Sequence, residues 1–146
     1  MLLISHRGNL NGPQPELENS EGYISKALGD GFEVEIDVWS KGSEIFLGHN
    51  QPTYQTSLEF LNKHKEKLWM HCKNLDALNF MLSQTGFNFF WHETDDYTLT
   101  SKGFIWTYFE KPVAQNNVLV VKGQIKKDDL PDCYGVCSDY AKILSS

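Results

Sequence analysis

Arginine is nearly missing from this chain. Of its 13 basic residues only Arg7 is an arginine, and it directly follows His6. A basic surplus is missing too. With 19 acidic residues the formal charge is -6, which excludes the non-specific nucleic-acid binder, since that needs a positive surface. An acidic total leaves a phosphate ligand open, because a few local cations suffice to hold one. Long apolar runs are absent, and none approaches the ~18 residues of a membrane helix. The opening Met1-Leu2-Leu3-Ile4 is too short for a secretory core and has no basic segment before it, so no signal peptide is expected. Cysteine is scarce and odd in number: Cys72, Cys133 and Cys137, without a CxxC pair. That argues against a disulfide framework and for buried thiols in a reducing cytoplasm. Repeats and low-complexity stretches are lacking as well.

What is present is a globular composition, 40% hydrophobic and 22% charged over 146 residues. This predicts a single domain over 1–146, able to bury a core without staples. Apolar or alternating runs rich in β-branched and aromatic residues predict eight strands: Leu2–His6, Phe32–Trp39, Glu44–His49, Leu68–Lys73, Phe87–His92, Gly103–Tyr108, Asn117–Lys122 and Tyr134–Ser138. Helical spacing predicts a helix over Ser20–Leu28. A capping-box pattern at Thr56-Ser57-Leu58-Glu59 opens a second, running to about Lys65. A third is capped by Asn74 and carries Leu75, Leu78, Met81 and Leu82. Eight strands alternating with helices predict a compact α/β fold, a (β/α)8 TIM-type barrel. Length strains that reading, because each unit averages about 18 residues where about 30 is ordinary. Several helices in the C-terminal half must then be shortened or missing. An open mixed sheet of six or seven strands is the alternative.

Alternation along the strands selects candidate site residues. Glu33, Glu35, Asp37 and Trp39 share one face, against Phe32, Val34, Ile36 and Val38 on the other. The apolar face needs helices to cover it, so the carboxylates point inward, where they require a cation, a proton or hydrogen bonds. Glu35 and Asp37 could hold a hard divalent ion through oxygen or pair with Lys73 or Lys122. Trp69, His71 and Lys73 share a face, as do Leu2, Ile4 and His6, and Ile45, Leu47 and His49. In a parallel barrel the strand C-termini gather these groups at one mouth.

His6-Arg7-Gly8, Glu18-Asn19-Ser20, Glu35-Ile36-Asp37-Val38 and Gly48-His49 together resemble the N-terminal signature of the glycerophosphodiester phosphodiesterases, of the phosphatidylinositol-phospholipase-C-like superfamily. Lys73 and Gly135-Val136-Cys137-Ser138-Asp139-Tyr140 extend the resemblance, while residues 85–130 match weakly. The resemblance implies a metal-dependent hydrolase of a glycerophosphodiester or similar small phosphodiester. It makes His6 and His49 the acid–base pair, Arg7 and Lys73 the phosphate-binding cations, and Glu35 and Asp37 metal ligands. His71 stands where the family has a third carboxylate ligand, Asn50 where it has Asp, and Leu17 where it has Pro. The family implies Mg or Ca as cofactor, and an imidazole at His71 suits Mn or Zn.

Two other functions are weighed beside it. One is a non-catalytic phosphate- or sugar-phosphate-binding module with a degraded metal site. The other is an amidohydrolase-type centre using Lys73, His92 and Asp139, which lacks that class's HxH motif and has Trp106 where it needs a histidine. Missing helices after the fifth to seventh strands would leave Phe89, Trp91, Ile105, Leu119 and Val121 uncovered. A homodimer through that helix-poor side is therefore expected, unless loops fold back over it.

Overall fold

A computed structural model describes residues 1–146. In chain order the elements are β1 (Leu2–His6), α1 (Glu21–Gly29), β2 (Glu33–Lys41), β3 (Glu44–Leu47), β4 (Tyr54–Thr56), α2 (Leu58–His64), β5 (Leu68–Cys72) and α3 (Leu75–Leu82). Then come β6 (Asn88–Phe90), β7 (Tyr97–Leu99), β8 (Ile105–Thr107), β9 (Asn117–Val121), β10 (Gly135–Ser138) and α4 (Ala141–Leu144). The strands form one 10-stranded mixed sheet. Parallel ladders join β6–β5–β2–β1–β10–β9–β8, and β3, β4 and β7 add antiparallel pairs at the flanks.

The sheet curls into a half-barrel, and the (β/α)8 TIM-type barrel expected from the sequence is not formed. No ladder links β6 to β8. The Phe90 and Trp106 rings meet across that gap, 4.6 Å apart, and Ser101 from the β7–β8 turn exchanges hydrogen bonds with the Phe89 backbone. The helices are four and short, because most C-terminal connections lack the dozen or so residues that a helical crossover needs. The expected third wall strand is also reassigned. Two residues, Gly42 and Ser43, join β2 to β3, and Lys41 pairs with Glu44. So short a link can only make an antiparallel hairpin. Ile45 and Leu47 consequently face the helix-side core, not the interior. In their place β5 pairs directly with β2, in register from Val34↔Leu68 to Val38↔Cys72.

The three predicted helices all form. Ser57 caps α2 by accepting from the Phe60 amide, one residue later than the expected cap at Thr56. Asn74 caps α3 through the Ala77 amide, and its side chain also exchanges hydrogen bonds with the Ser40 backbone. That ties α3 to the end of β2.

Alternation holds on the wall strands. Val34, Ile36, Val38, Leu68, Met70 and Cys72 pack under the helices with Ile24, Ala27, Ala77 and Met81 in a core of 18 buried residues. Ile4, Trp69, Phe90, Trp106, Val118 and Cys137 fill the concave interior. The outer face of β9 is not bare. Leu119 and Val121 are buried with Cys133, Val136 and Leu144, and Phe109, Val113, Ile125 and Leu130 from the loops fold over them. The apolar face that motivated a homodimer is thus closed over β9, while Trp91 remains partly exposed.

Candidate functional site

Seven residues singled out from the sequence meet at the C-terminal rim of the sheet. Asp37 is their hub and is fully buried. Its Oδ2 lies 3.1 Å from Arg7 Nε and 3.4 Å from His49 Nδ1, and its Oδ1 lies 3.3 Å from His71 Nδ1 and 3.7 Å from Lys73 Nζ. Burial works against its charge. The surrounding His49, His71 and Arg7 outweigh burial and hold its carboxyl well below the usual range. Glu35, two residues away on the same face, shows the opposite. Burial and the neighbouring Asp37 charge raise its pKa, and its nearest basic atoms are His6 Nε2 at 3.8 Å and His71 Nδ1 at 3.9 Å. The alternative of salt bridges to lysine holds only for Asp37 with Lys73. Glu35 Oε2 and Asp37 Oδ1 are buried without a hydrogen-bond partner.

That orphaned pair bears on whether a divalent ion fits. Buried acceptors without donors are rare, and a divalent ion is one partner that would satisfy both at once, a proton on Glu35 being another. Glu35, Asp37 and His71 each offer one atom, all within 4.8 Å of one another. The donor set of two carboxylates and an imidazole is chemically suited to such an ion.

The histidines arrive by different routes. His6 ends β1, and its Nδ1 meets Asp139 Oδ1 at 2.8 Å. A carboxylate only accepts, so Nδ1 carries the proton and Nε2 turns to the cavity. Burial disfavours the imidazolium of His6, yet the Asp139 hydrogen bond and the Glu35 charge outweigh it and raise its pKa. Asp139 is lowered in return, the His6 hydrogen bond overcoming burial. His49 does not reach the site by strand alternation. The chain leaves β3 at Gly48, whose amide donates to the Asp37 carbonyl at 3.1 Å. With φ at +156°, a Cβ there would collide with the Gln51 carbonyl oxygen. Glycine is what lets the turn swing His49 inward. Arg7 Nη2 lies 3.3 Å from His49 Nε2. Guanidinium only donates, so that nitrogen accepts and the His49 proton sits on Nδ1, facing Asp37.

Arg7 adopts φ +56° and Asn19 φ +66°, a region that non-glycine residues enter at a cost and mostly at functional sites. Both are held there. The Arg7 amide donates to the Glu35 carbonyl and the Asn19 amide to the Arg7 carbonyl, while Arg7 Nη1 donates to Glu18 Oε2 at 3.2 Å. Asn19 grips Asp37 twice, accepting from its amide at 2.9 Å and donating to Oδ2 at 3.0 Å. Asn9, fully buried, donates to both Glu18 and Asp139.

Sequence reasoning missed these supporting roles. Glu18-Asn19 and Asp139 were noticed as motif members. The pairing of Asp139 with His6 spans 133 positions and leaves no local pattern. The amidohydrolase set is not assembled, since the His92 ring turns to the Asp95 carbonyl and Asp139 is engaged by His6 and Asn9.

The site opens into a cavity of about 480 Å3, walled on the far side by Trp91, Trp106, Tyr108 and Lys122. Lys122 donates to the Tyr108 hydroxyl at 2.6 Å and lies over its ring. Comparison with protein-family models, curated proteins and solved structures finds no match. No helix is long and apolar enough to cross a membrane, and all three cysteines are free and buried.

Proposed function

We propose that the chain is a metal-dependent phosphodiester hydrolase acting on a glycerophosphodiester or similar small phosphodiester. The observation that carries this is the placement of His6 beside Glu35 and His49 beside Asp37, two buried carboxylates that each leave one oxygen without a hydrogen bond. The cavity volume suits a small molecule, and Arg7 and Lys73 supply cations at its floor. A divalent ion held by Glu35, Asp37 and His71 would neutralise the non-bridging oxygens of the phosphodiester.

The chain's own residues do the rest. Arg7 binds phosphate through its planar fork and Lys73 as a point charge. His6, its Nδ1–H anchored by Asp139, offers Nε2 as general base to the nucleophile. The family resemblance makes that nucleophile a neighbouring hydroxyl of the substrate, closing a cyclic phosphate that water then opens to complete the hydrolysis. When phosphate draws Arg7 away, His49 Nε2 is released to carry a proton, and Asp37 beside Nδ1 stabilises the resulting imidazolium. His49 is then the general acid that protonates the leaving alkoxide. Free buried thiols fit a reducing compartment such as the cytoplasm.

One observation favours a binding-only module, namely that Arg7 occupies His49 Nε2, the atom that must carry the proton. Cleavage of 2-hydroxypropyl p-nitrophenyl phosphate, which carries a hydroxyl next to its phosphate, separates the two readings. The enzyme reading expects turnover that a chelator abolishes and a divalent ion restores. Saturable phosphate binding without turnover under any ion would select the binding module.

A further inference from the structure

We infer that His71 is a nitrogen ligand of the bound ion, so that this centre is built for a borderline transition ion such as zinc, cobalt or manganese rather than for calcium or magnesium. The inference deepens the phosphodiesterase reading, from which it takes only the presence of an ion. His71 Nε2 lies 2.7 Å from the His92 carbonyl oxygen. A carbonyl has no proton to give, so Nε2 carries one and donates it. The Phe90 ring, stacked 11° from parallel at 5.1 Å, fixes the imidazole plane, and the β5–β6 ladder sets His71 opposite Phe90. With Nε2 committed, Nδ1 is the atom His71 turns to Asp37 Oδ1 at 3.3 Å and to Glu35 Oε1 at 3.9 Å, and an ion bound there takes the place of any Nδ1 proton.

These three atoms repel one another unless a proton or a cation lies among them; Lys73 Nζ approaches Asp37 Oδ1 only to 3.7 Å, and Oδ1 makes no hydrogen bond. Ligand bonds of about 2.0–2.2 Å separate neighbouring donors by about 3–3.5 Å, close to the spacing seen. A metal-bound histidine almost always donates its other N–H to a carbonyl or carboxylate, which is the role the His92 backbone fills. Calcium needs six to eight oxygens, and this cluster offers two carboxylates. Imidazole selects the borderline ions.

The test uses the full chain, stripped with chelator and labelled with 15N at histidine. On addition of Zn2+ the His71 Nδ1 resonance should shift while the Nε2 proton stays in place. By calorimetry, His71→Glu should weaken Zn2+ binding about 10–100-fold and tighten Mg2+ binding, reversing the preference. Because nitrogen sites favour zinc in general, the change in the ratio on His71→Glu is the deciding quantity. A His71 Nδ1 that is protonated in the stripped protein and unmoved at saturating Zn2+ overturns the inference, as does an unchanged Zn2+/Mg2+ ratio in His71→Glu. Nitrogen ligation without any phosphodiester cleavage overturns the functional reading and leaves this inference intact. Cleavage supported by Mg2+ with Nδ1 unmoved does the reverse.

Discussion

The two halves of the half-barrel are backed differently. Residues up to Leu82 place helices α1, α2 and α3 behind β2 and β5, the short α4 from the chain's end covers β1, and these strands hold His6, Glu35, Asp37 and His71. Beyond Leu82, loops back β8 and β9, and those strands contribute a cavity wall of Trp106, Lys122 and neighbours. Asp139, just past β10, is the one charged group that the second half sends to the cluster, where it orients His6. The contrast teaches where rigidity is needed. Opposed charges at 3–4 Å must be held against repulsion and desolvation, and packed helices do that better than loops. A wall that only encloses a ligand can be built more cheaply.

The sharpest way to break this comparison is at the two carboxylates. Asp37→Ala should abolish ion binding and, by leaving several cationic groups facing an empty hub, lower stability by about 3–5 kcal/mol. Glu35→Gln should abolish ion binding yet stabilise the ion-free protein by about 1–2 kcal/mol, because its charge is buried without a donor. Calorimetry with Mn2+ and urea unfolding read the two effects separately.

Core substitutions compare the backings directly. Ile36→Ala, under α1 and α3, should cost toward the upper end of the usual ~2–5 kcal/mol, and Leu119→Ala, under loops that can collapse, toward the lower end. Equal losses in urea denaturation would mean that the loops pack as firmly as the helices.

Asp139→Asn tests whether the second half reaches the chemistry. It should lower turnover by about 100-fold, the lower end of what a positioned acid or base is worth, with little change in KM. Smallest, Asn74→Ala should cost about 1–2 kcal/mol, since it loses a helix cap and the tie from α3 to β2.

The halves also differ in how much could be read from the sequence. From Glu33 to Val38 charged and strongly apolar residues alternate strictly, so the faces of Val34 to Asp37 are legible from alternation alone. The N-terminal motif residues fall on strand ends or the turns after them, which made their convergence legible too. Topology was less so. The Gly42-Ser43 turn was itself a hairpin signal, and taking Glu44–His49 as a wall strand produced a barrel where the chain makes a flanking antiparallel arm. Strands β4 and β7 are three residues each and exist through their partners, which no local pattern reveals. The Asp139–His6 and Asn19–Asp37 contacts are tertiary in the same sense.

The central claim is that His6 and His49 act as base and acid on a phosphodiester bound over the Glu35–Asp37 pair. The most direct measurement is turnover of 2-hydroxypropyl p-nitrophenyl phosphate, a phosphodiester with a hydroxyl next to the phosphate, by the parent protein, His6→Ala and His49→Ala side by side at saturating Mn2+. The account predicts chelator-sensitive turnover in the parent and a fall of about 100- to 10,000-fold in each variant, with both still folded by circular dichroism. Turnover that survives both substitutions, or none in the ion-loaded parent, would contradict it.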